Sequence, residues 1–409
     1  MTETLLKNAR LVLQRGVTKG AVLIGSGRIS QVFNQDQAPI GFDRASTIDF
    51  DGRYVAPGLI DLHIHGSAGV DVLAAENDEW SRLSHFLLSQ GVTGYFPTFV
   101  PVADAEYHQA LTSIDSYLSD SAGPGLTGAR VLGVHFEGPF VSKERCGALH
   151  PAHFRGYDGD PASIELFTRG RAGGSQATNG NASVRGAVLM TIAPEIEGGI
   201  SLIRDLCARG VTPFIGHSVA DLDVLDLAVE AGARHITHFP NALDPLHHRK
   251  PGAVGWGLLH PDVSVDCIAD HHHVHPLMLK LIYQNKGADR MALISDAIPP
   301  AGLGDGEYEV WGDRIKVRAG LTSLADHGAS ETIAGSVITL LDGVRNTAGL
   351  GIPLFEAIGM ASLVPARAAG IESDRGSLAA GKRADLIALD EDLKVQIAFV
   401  GGQMALDAR

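Results

Sequence analysis

The chain has 409 residues, 45% of them apolar and 20% charged, and a formal net charge of −14. That length holds roughly two to three domains, or one (β/α)8 barrel of about 250 residues with a small extra domain. The composition excludes wholesale disorder, collagen and coiled coil. No uncharged apolar run reaches the ~18 residues that span a bilayer, and an acidic chain without a basic cluster suits neither a nucleic-acid backbone nor an anionic surface.

The opening stretch, MTETLLKNARLVL, has no basic segment followed by an apolar one, so no export signal is expected. It reads as the first of several short strands: LLKNARLVL, AVLIGSGRISQVF with Ser26-Gly27 as a turn, and TIDFDGRYVAPG. From about residue 58 to 366 the texture changes, and short apolar runs alternate with longer helix-compatible stretches. Eight such runs occur: LIDLHIH (59–65), GVTGYFPTF (91–99), VLGVHFE (131–137), AVLMTIAPE (187–195), TPFIGH (212–217), HITH (235–238), VSVDCIAD (263–270) and MALISD (291–296). This is the pattern of βα units on a parallel sheet. No GxGxxG follows the first run, which weighs against an open doubly wound sheet; eight units predict a closed (β/α)8 TIM-type barrel. GGSQATNGNAS at 173–183 reads as a surface insertion. The tail, ADLIALD then KVQIAFVGGQ, returns to the style of the N-terminal strands. The expected organisation is therefore a small β domain from residues 1–57 and 367–409, and a barrel over 58–366. Cys146, Cys207 and Cys267 are odd in number and widely spaced, with no CxxC pattern, so a reducing cytoplasm is expected.

Ligand-type side chains recur at one place in these runs. His63 and His65 close the first, Glu137 the third, His217 the fifth, His238 the sixth and Asp296 the eighth. Each alone has a plain explanation, as a strand-end polar group, a helix cap or a turn former. Together they fall on the C-terminal rim of a barrel, where active sites are built. Residues i and i+2 share a strand face, so His63 and His65 stand side by side. Neutral imidazoles with a carboxylate hold a Zn²⁺-like ion and leave a position open. Such an ion lowers the pKa of water toward ~7 and polarises a carbonyl oxygen. The chemistry expected is hydrolysis of an amide, ester or related carbonyl compound, with Asp296 as the proton carrier.

Other groups carry less weight. Of the imidazoles in His271-His272-His273-Val274-His275, alternation puts one or two in the mouth. Arg249, after the sixth strand, suits a phosphate or carboxylate, but composition alone favours a solvated surface arginine, and Lys143 and Arg145 are as ambiguous. Cys146 has no partner base, and Glu195 reads as support for the site. A retired, non-catalytic barrel predicts the loss of a ligand or of the acid/base, and all are present.

On these residues the chain resembles the amidohydrolase superfamily and, within it, the N-acetylglucosamine-6-phosphate deacetylase family. The matching segments run in order: PGLIDLHIHG (57–66), HFEGPF (135–140), APE (193–195), GHS (216–218), THFPNAL (237–243), ISDA (294–297), AGS (334–336) and the tail GSLAAGKRADLIALD (376–390). The resemblance implies a metal-dependent barrel and a β-sandwich-like domain from both chain ends. It implies Glu137, His217 and His238 as ligands of the main metal and Asp296 as the catalytic acid/base. Some members of the family have other residues at the His63 and His65 positions and bind one metal; with both present here, one or two ions per subunit are expected, the second sharing Glu137. Zinc is the expected metal, with Fe, Mn or Co open. Asn241, the backbone of Ala242, and Arg249 match positions that bind the substrate phosphate, the arginine across a dimer interface, so a homodimer is implied. His273 matches an imidazole near the reacting group, and Ala148, His150 and Ile333 complete the substrate set.

The implied reaction converts N-acetylglucosamine 6-phosphate to glucosamine 6-phosphate and acetate, in the cytoplasm, with neither nucleic acid nor membrane as partner. N-acetylgalactosamine 6-phosphate is the alternative substrate. A cyclic amidohydrolase or deaminase is the alternative activity, although many cyclic amidases use a carboxylated lysine and no lysine lies near residue 195. The chain departs from the family around the sugar. Where relatives carry Gly-Ala-His or Gly-Thr-His, it has Gly147-Ala148-Leu149, with His150 displaced by one. The family's Asp-Gly pair is Asp270-His271, and Pro240 replaces an apolar residue before Asn241-Ala242.

Overall fold

The computed structural model describes residues 3–34, 47–120, 128–168, 186–325 and 332–409. The 173–183 stretch lies outside the described residues.

The eight barrel strands form where the apolar runs lie: Leu59–Ile64, Val92–Phe99, Gly133–Glu137, Ala187–Ile192, Val211–Ile215, His235–Ile236, Ser264–Ile268 and Met291–Ile294. Neighbours pair in parallel around the ring. A bridge between Ile64 and Ala297 brings the last strand back to the first. These strands read as apolar runs, not as alternating ones, because both faces are covered. Ile60, Leu62, Phe96, Leu189, Phe214, Ile268 and Ile294 form one buried cluster. The other strand faces join a larger cluster with helix residues such as Trp80, Leu83, Leu202, Leu225 and Leu279.

Helix ends follow from local chemistry. Asp221 caps Leu222–Ala231 by accepting from Val224 N–H, and Gly232 ends it at φ +126°. Thr339 and Asp342 form a capping box on Leu340–Gly349.

Both chain ends build a separate eight-stranded sheet. Its order is Gln403–Asp407, Val395–Val400, Leu386–Leu389, Tyr54–Pro57, Thr4–Leu13, Gly16–Gly25, Arg28–Asn34, with Thr47–Asp49 paired to Thr4–Leu13. Leu6, Leu11, Val22, Ile24, Phe50 and Val55 share its core with Leu386, Ile397 and Phe399. The sequence did not mark a three-stranded antiparallel sheet, Gly306–Val310, Asp313–Arg318 and Leu321–Leu324, between the eighth barrel strand and its helix. Buried residues such as Val310, Ile315 and Val317 stand singly among exposed and half-buried ones, so no apolar run announces it. Among the described residues, no helix is long and apolar enough to cross a membrane.

Candidate active site

Six ligand-type side chains converge at the C-terminal rim in two sets. One is His63, His65 and Asp296; the other is Glu137, His217 and His238. In each, one ligand atom per residue lies within 4.8 Å of the others, and all six residues are buried. His217, His238 and Asp296 follow their strands in the left-handed region, at φ +47°, +31° and +51°. Such a backbone costs about 1–3 kcal/mol per residue and persists only where surroundings enforce it. Here they do. The His238 N–H donates to Asp266 Oδ1. The Asp296 N–H donates to the His63 carbonyl at 2.9 Å, and its own carbonyl accepts from Ser336 N–H at 2.8 Å. Glu195 ties the chain after His217 by accepting from Ser218 Oγ at 2.7 Å and Val219 N–H at 2.6 Å. Close approach explains two glycines: a Cβ at Gly66 would stand 2.0 Å from the Val70 carbonyl oxygen, and one at Gly216 would stand 2.6 Å from Thr191 Cγ2.

The imidazole tautomers follow from their partners. His65 Nδ1 lies 3.0 Å from the Thr98 carbonyl and His217 Nδ1 lies 2.7 Å from the Arg145 carbonyl. A carbonyl only accepts, so both Nδ1 atoms carry the proton and a neutral ring presents a lone pair at Nε2. That lone pair on His217 faces Glu137 Oε1 at 2.9 Å. On His65 it faces Glu137 Oε2 at 3.3 Å and Asp296 Oδ1 at 3.2 Å. His238 Nε2 is 2.9 Å from Glu137 Oε1 and 3.1 Å from His217 Nε2; His63 Nε2 is 3.1 Å from His65 Nε2 and 3.3 Å from Asp296 Oδ1. Acceptors facing acceptors need a proton or a cation between them. The donor set, imidazole and carboxylate, suits a divalent ion such as zinc.

The electrostatics agree. Burial opposes charge on His65, but hydrogen bonds and charge from Asp296 and Glu137 outweigh it and push the ring up to about 10. His238 is pushed up to about 9 against burial, by Glu137 first. Burial favours the protonated carboxyl at Glu137, yet His63, His217 and His238 hold it well below the usual range. Asp296 is also held low against burial, by His63 and His65. Beneath the rim, His135 donates Nδ1–H to the Leu62 carbonyl at 2.9 Å and its Nε2 meets Thr191 Oγ1 at 2.8 Å. Burial keeps it neutral.

Above these groups lies a cavity of about 210 Å3, lined among others by His65, Glu137, Ala148, Leu149, Asn241, Ala242, His273, Asp296, Trp311 and Ile333. His273 is the one imidazole of its run that lines it. Its Nδ1 is 2.7 Å from Asp270 Oδ2. Burial raises the Asp270 carboxyl, but His273 outweighs that and holds it low. His275 instead caps a helix by accepting from Leu277 N–H. Asn241 Nδ2 donates to the His238 carbonyl at 2.9 Å.

Two expected substrate residues lie elsewhere. His150 does not line the cavity; Leu149 fills that place, and His150 Nε2 pairs with Asp313 Oδ2 at 3.1 Å with its side chain half exposed. Arg249 is also outside, on an exposed hairpin with its Nη1 2.8 Å from His248 Nε2. Sequence reasoning missed Trp311, whose only signal is the short alternating YEVWGDRI around Gly312. It also missed Asp266 and Asp61, each hidden inside an apolar run.

The amidohydrolase family matches residues 54–407. The N-acetylglucosamine-6-phosphate deacetylase of Vibrio furnissii is 35% identical over 384 residues, 94% of this chain and 90% of that one. The N-acetylgalactosamine-6-phosphate deacetylase of Escherichia coli O157:H7 is 36% identical over 361 residues, 88% and 90%. A mutant N-acetyl-D-glucosamine-6-phosphate deacetylase from Mycobacterium smegmatis, solved in complex with N-acetyl-D-glucosamine-6-phosphate, is 30% identical. It superposes with a TM-score of 0.84 over 99% of this chain and 100% of that one.

Proposed function

We propose a reaction for this chain from one premise: it belongs to the amidohydrolase family and, within it, to the N-acetylglucosamine-6-phosphate deacetylases. The chain hydrolyses a linear amide, the acetamide of N-acetylglucosamine 6-phosphate, to glucosamine 6-phosphate and acetate. The observation that carries this reading is the meeting of four imidazole nitrogens and two carboxylates at the barrel rim, acceptor against acceptor.

Glu137, His217 and His238 would hold the main divalent ion, zinc first, with Fe, Mn or Co able to replace it. His63, His65 and Asp296 flank a second position, toward which Glu137 turns Oε2. When bound, the ion polarises the acetyl carbonyl and acidifies water. Asp296 takes a proton from the attacking water at Oδ1 and gives it to the amine nitrogen as the C–N bond breaks. His273, held by Asp270, stabilises the negative charge that develops on the acyl oxygen. Asn241 and the Ala242 backbone hold the phosphate, whose binding orients the remote amide; Ala148 and Ile333 wall the cavity.

Arg249 serves the cavity of a neighbouring subunit in a homodimer. Supporting this, Leu246, Leu259 and Leu277 are 47%, 78% and 70% exposed around the packed helices Gly252–Leu259 and Pro276–Lys286, beside the Arg249 hairpin. The enzyme works in the cytoplasm, in keeping with three unpaired cysteines, and takes neither nucleic acid nor membrane as partner, in keeping with its charge.

The test is acetate release by the metal-supplemented protein from N-acetylglucosamine 6-phosphate and N-acetylgalactosamine 6-phosphate, with the unphosphorylated sugars as controls. Rapid release from the gluco phosphate is expected. Release from the galacto phosphate alone would move the reading to that epimer, and release from neither, with metal confirmed in the protein, would overturn it.

A further inference from the structure

The loop that follows Glu137 grips a second ligand-type residue. Its short 3-10 turn, Lys143–Arg145, begins after Ser142. The Ser142 N–H donates to the His217 carbonyl at 3.0 Å. At the other end of the turn, the Arg145 carbonyl accepts from His217 Nδ1 at 2.7 Å. One turn therefore holds His217 by its backbone and by its ring. His217 needs such a hold, since its backbone stands at φ +47°.

The side chain of Arg145 reaches a different loop. Its Nε donates to Asp244 Oδ1 at 3.1 Å, and its Nη2 donates to the same oxygen. Asp244 lies beyond His238, on the loop after the sixth barrel strand. That loop is bonded in turn to the residue after His217: the Ser218 N–H donates to the Ala242 carbonyl at 3.1 Å, and Ser218 and Leu243 form a parallel bridge. These contacts close a ring through three loops. It runs from the Arg145 carbonyl to the His217 imidazole, along the chain to Ser218, across to Ala242, along the chain to Asp244, and back to Arg145 through the ion pair. Cut at the ion pair, the ring becomes an open chain, and the 143–145 turn can shift against the 241–244 segment. Both lie beside the cavity, which Gly147 and Ala148 line on one loop and Asn241 and Ala242 on the other.

We infer that Arg145 is a positioning residue: by clasping Asp244 it fixes its own carbonyl against His217 Nδ1–H, and so aims the Nε2 lone pair of a metal-ligating imidazole. The inference rests on the reading above in which Glu137, His217 and His238 hold a divalent ion. A carbonyl that drifts leaves the His217 ring free to turn, and a ring that turns holds an ion less tightly. The ion pair itself is partly exposed, its side chains 35% and 42% accessible, and such a pair adds little to overall stability. Loss of metal affinity without loss of stability is therefore the signature of positioning.

The experiment measures zinc affinity by competition with a chromophoric chelator. Urea unfolding checks the fold, and visible absorption of the cobalt-loaded protein reads the ligand geometry. The series is Arg145→Ala, Asp244→Ala, the double variant, and the exchange of Arg145→Asp with Asp244→Arg. Each single alanine variant should lower zinc affinity about 3–10-fold, less than the roughly 10–100-fold of losing an outer partner outright, because the carbonyl itself stays. Each should also alter the cobalt spectrum, with a urea midpoint close to native. The double variant should lose no more than either single one, since both cut the same contact, and the exchange should restore affinity to within about twofold of native. Asp244→Asn, which keeps the shape and drops the charge, should lower affinity about twofold, and decides the matter if the alanine variants do not fold. Native zinc affinity and cobalt spectrum in a folded single variant, or losses that multiply in the double variant, would overturn the inference. A native protein that binds neither zinc nor cobalt would instead overturn the reading of the metal site.

Discussion

Asp266 is the residue whose removal best separates the scaffold of the site from its chemistry. It is wholly buried in the seventh barrel strand. One oxygen accepts the backbone N–H of His238 and the other lies 2.9 Å from His235 Nε2. Asp266→Ala strips an acceptor from both donors. Hydrogen bonds to charged groups contribute about 1.5–3 kcal/mol each, so two of them give a loss of about 3–6 kcal/mol. His238 also loses the contact that holds its backbone at φ +31°. Displacing the support of a ligating imidazole weakens metal binding about 10–100-fold. Asp266→Asn keeps one carbonyl oxygen and should fall between the native protein and Asp266→Ala.

Urea unfolding followed by tryptophan fluorescence, at fixed excess metal, reads the stability loss. Competition with a chromophoric chelator reads the affinity. Retention by Asp266→Ala of native stability to within about 1 kcal/mol and of metal affinity to within about twofold would refute this account of how His238 is held.

Three further outcomes are expected. Asp296→Asn should lower acetate release about 10²–10⁴-fold without unfolding the chain; near-normal turnover with metal bound would remove Asp296 from its role. Exhaustive chelation should abolish turnover and lower the thermal midpoint, since an ion at 100 times its Kd adds about 2.7 kcal/mol to the folded state; an unchanged midpoint and rate would exclude a resident metal. Burial pushes Lys286 down from 10.5 to about 8, while its Nζ donates to the Gly257 and His260 carbonyls at 2.8 Å. Below about pH 8 the folded state bears the cost of a buried charge; between about 8 and 10.5 the unfolded chain binds more protons, so stability from this group rises with pH. The urea midpoint of the native protein relative to Lys286→Met should therefore improve from pH 8 to pH 10, and a flat difference would contradict it.

The barrel was legible because a strand covered on both faces reads as a mostly apolar run, and because ligand-type residues recur at the C-terminal ends of those runs. His63, His65, Glu137, His217, His238 and Asp296 stood out on that ground alone. What stayed hidden depends on contacts distant in sequence. Asp266 and Asp61 lie inside apolar runs, and only the structure shows which backbone N–H groups they receive. Trp311 reaches the site on a solvent-exposed hairpin with no apolar run. His150 was expected beside the sugar, but a shift of one residue presents Leu149 to the cavity and leaves His150 to Asp313. Arg249 was expected at the phosphate across a dimer interface, and in the single chain it lies outside the cavity, beside His248 on an exposed hairpin.

The terminal sheet has a consequence in time. Tyr54–Pro57 pairs with Leu386–Leu389, a partner about 330 residues later in the chain. Synthesis at about 5–20 residues per second separates the two by roughly 15–65 s. Throughout that interval Val55 and the apolar face of Thr4–Leu13 have no cover from Leu386, Ile397 or Phe399. The nascent chain thus emerges with an unfinished seam at its leading end, sealed only when its last strands leave the ribosome, and it is in that window that a sheet edge of this kind is open to the wrong neighbour.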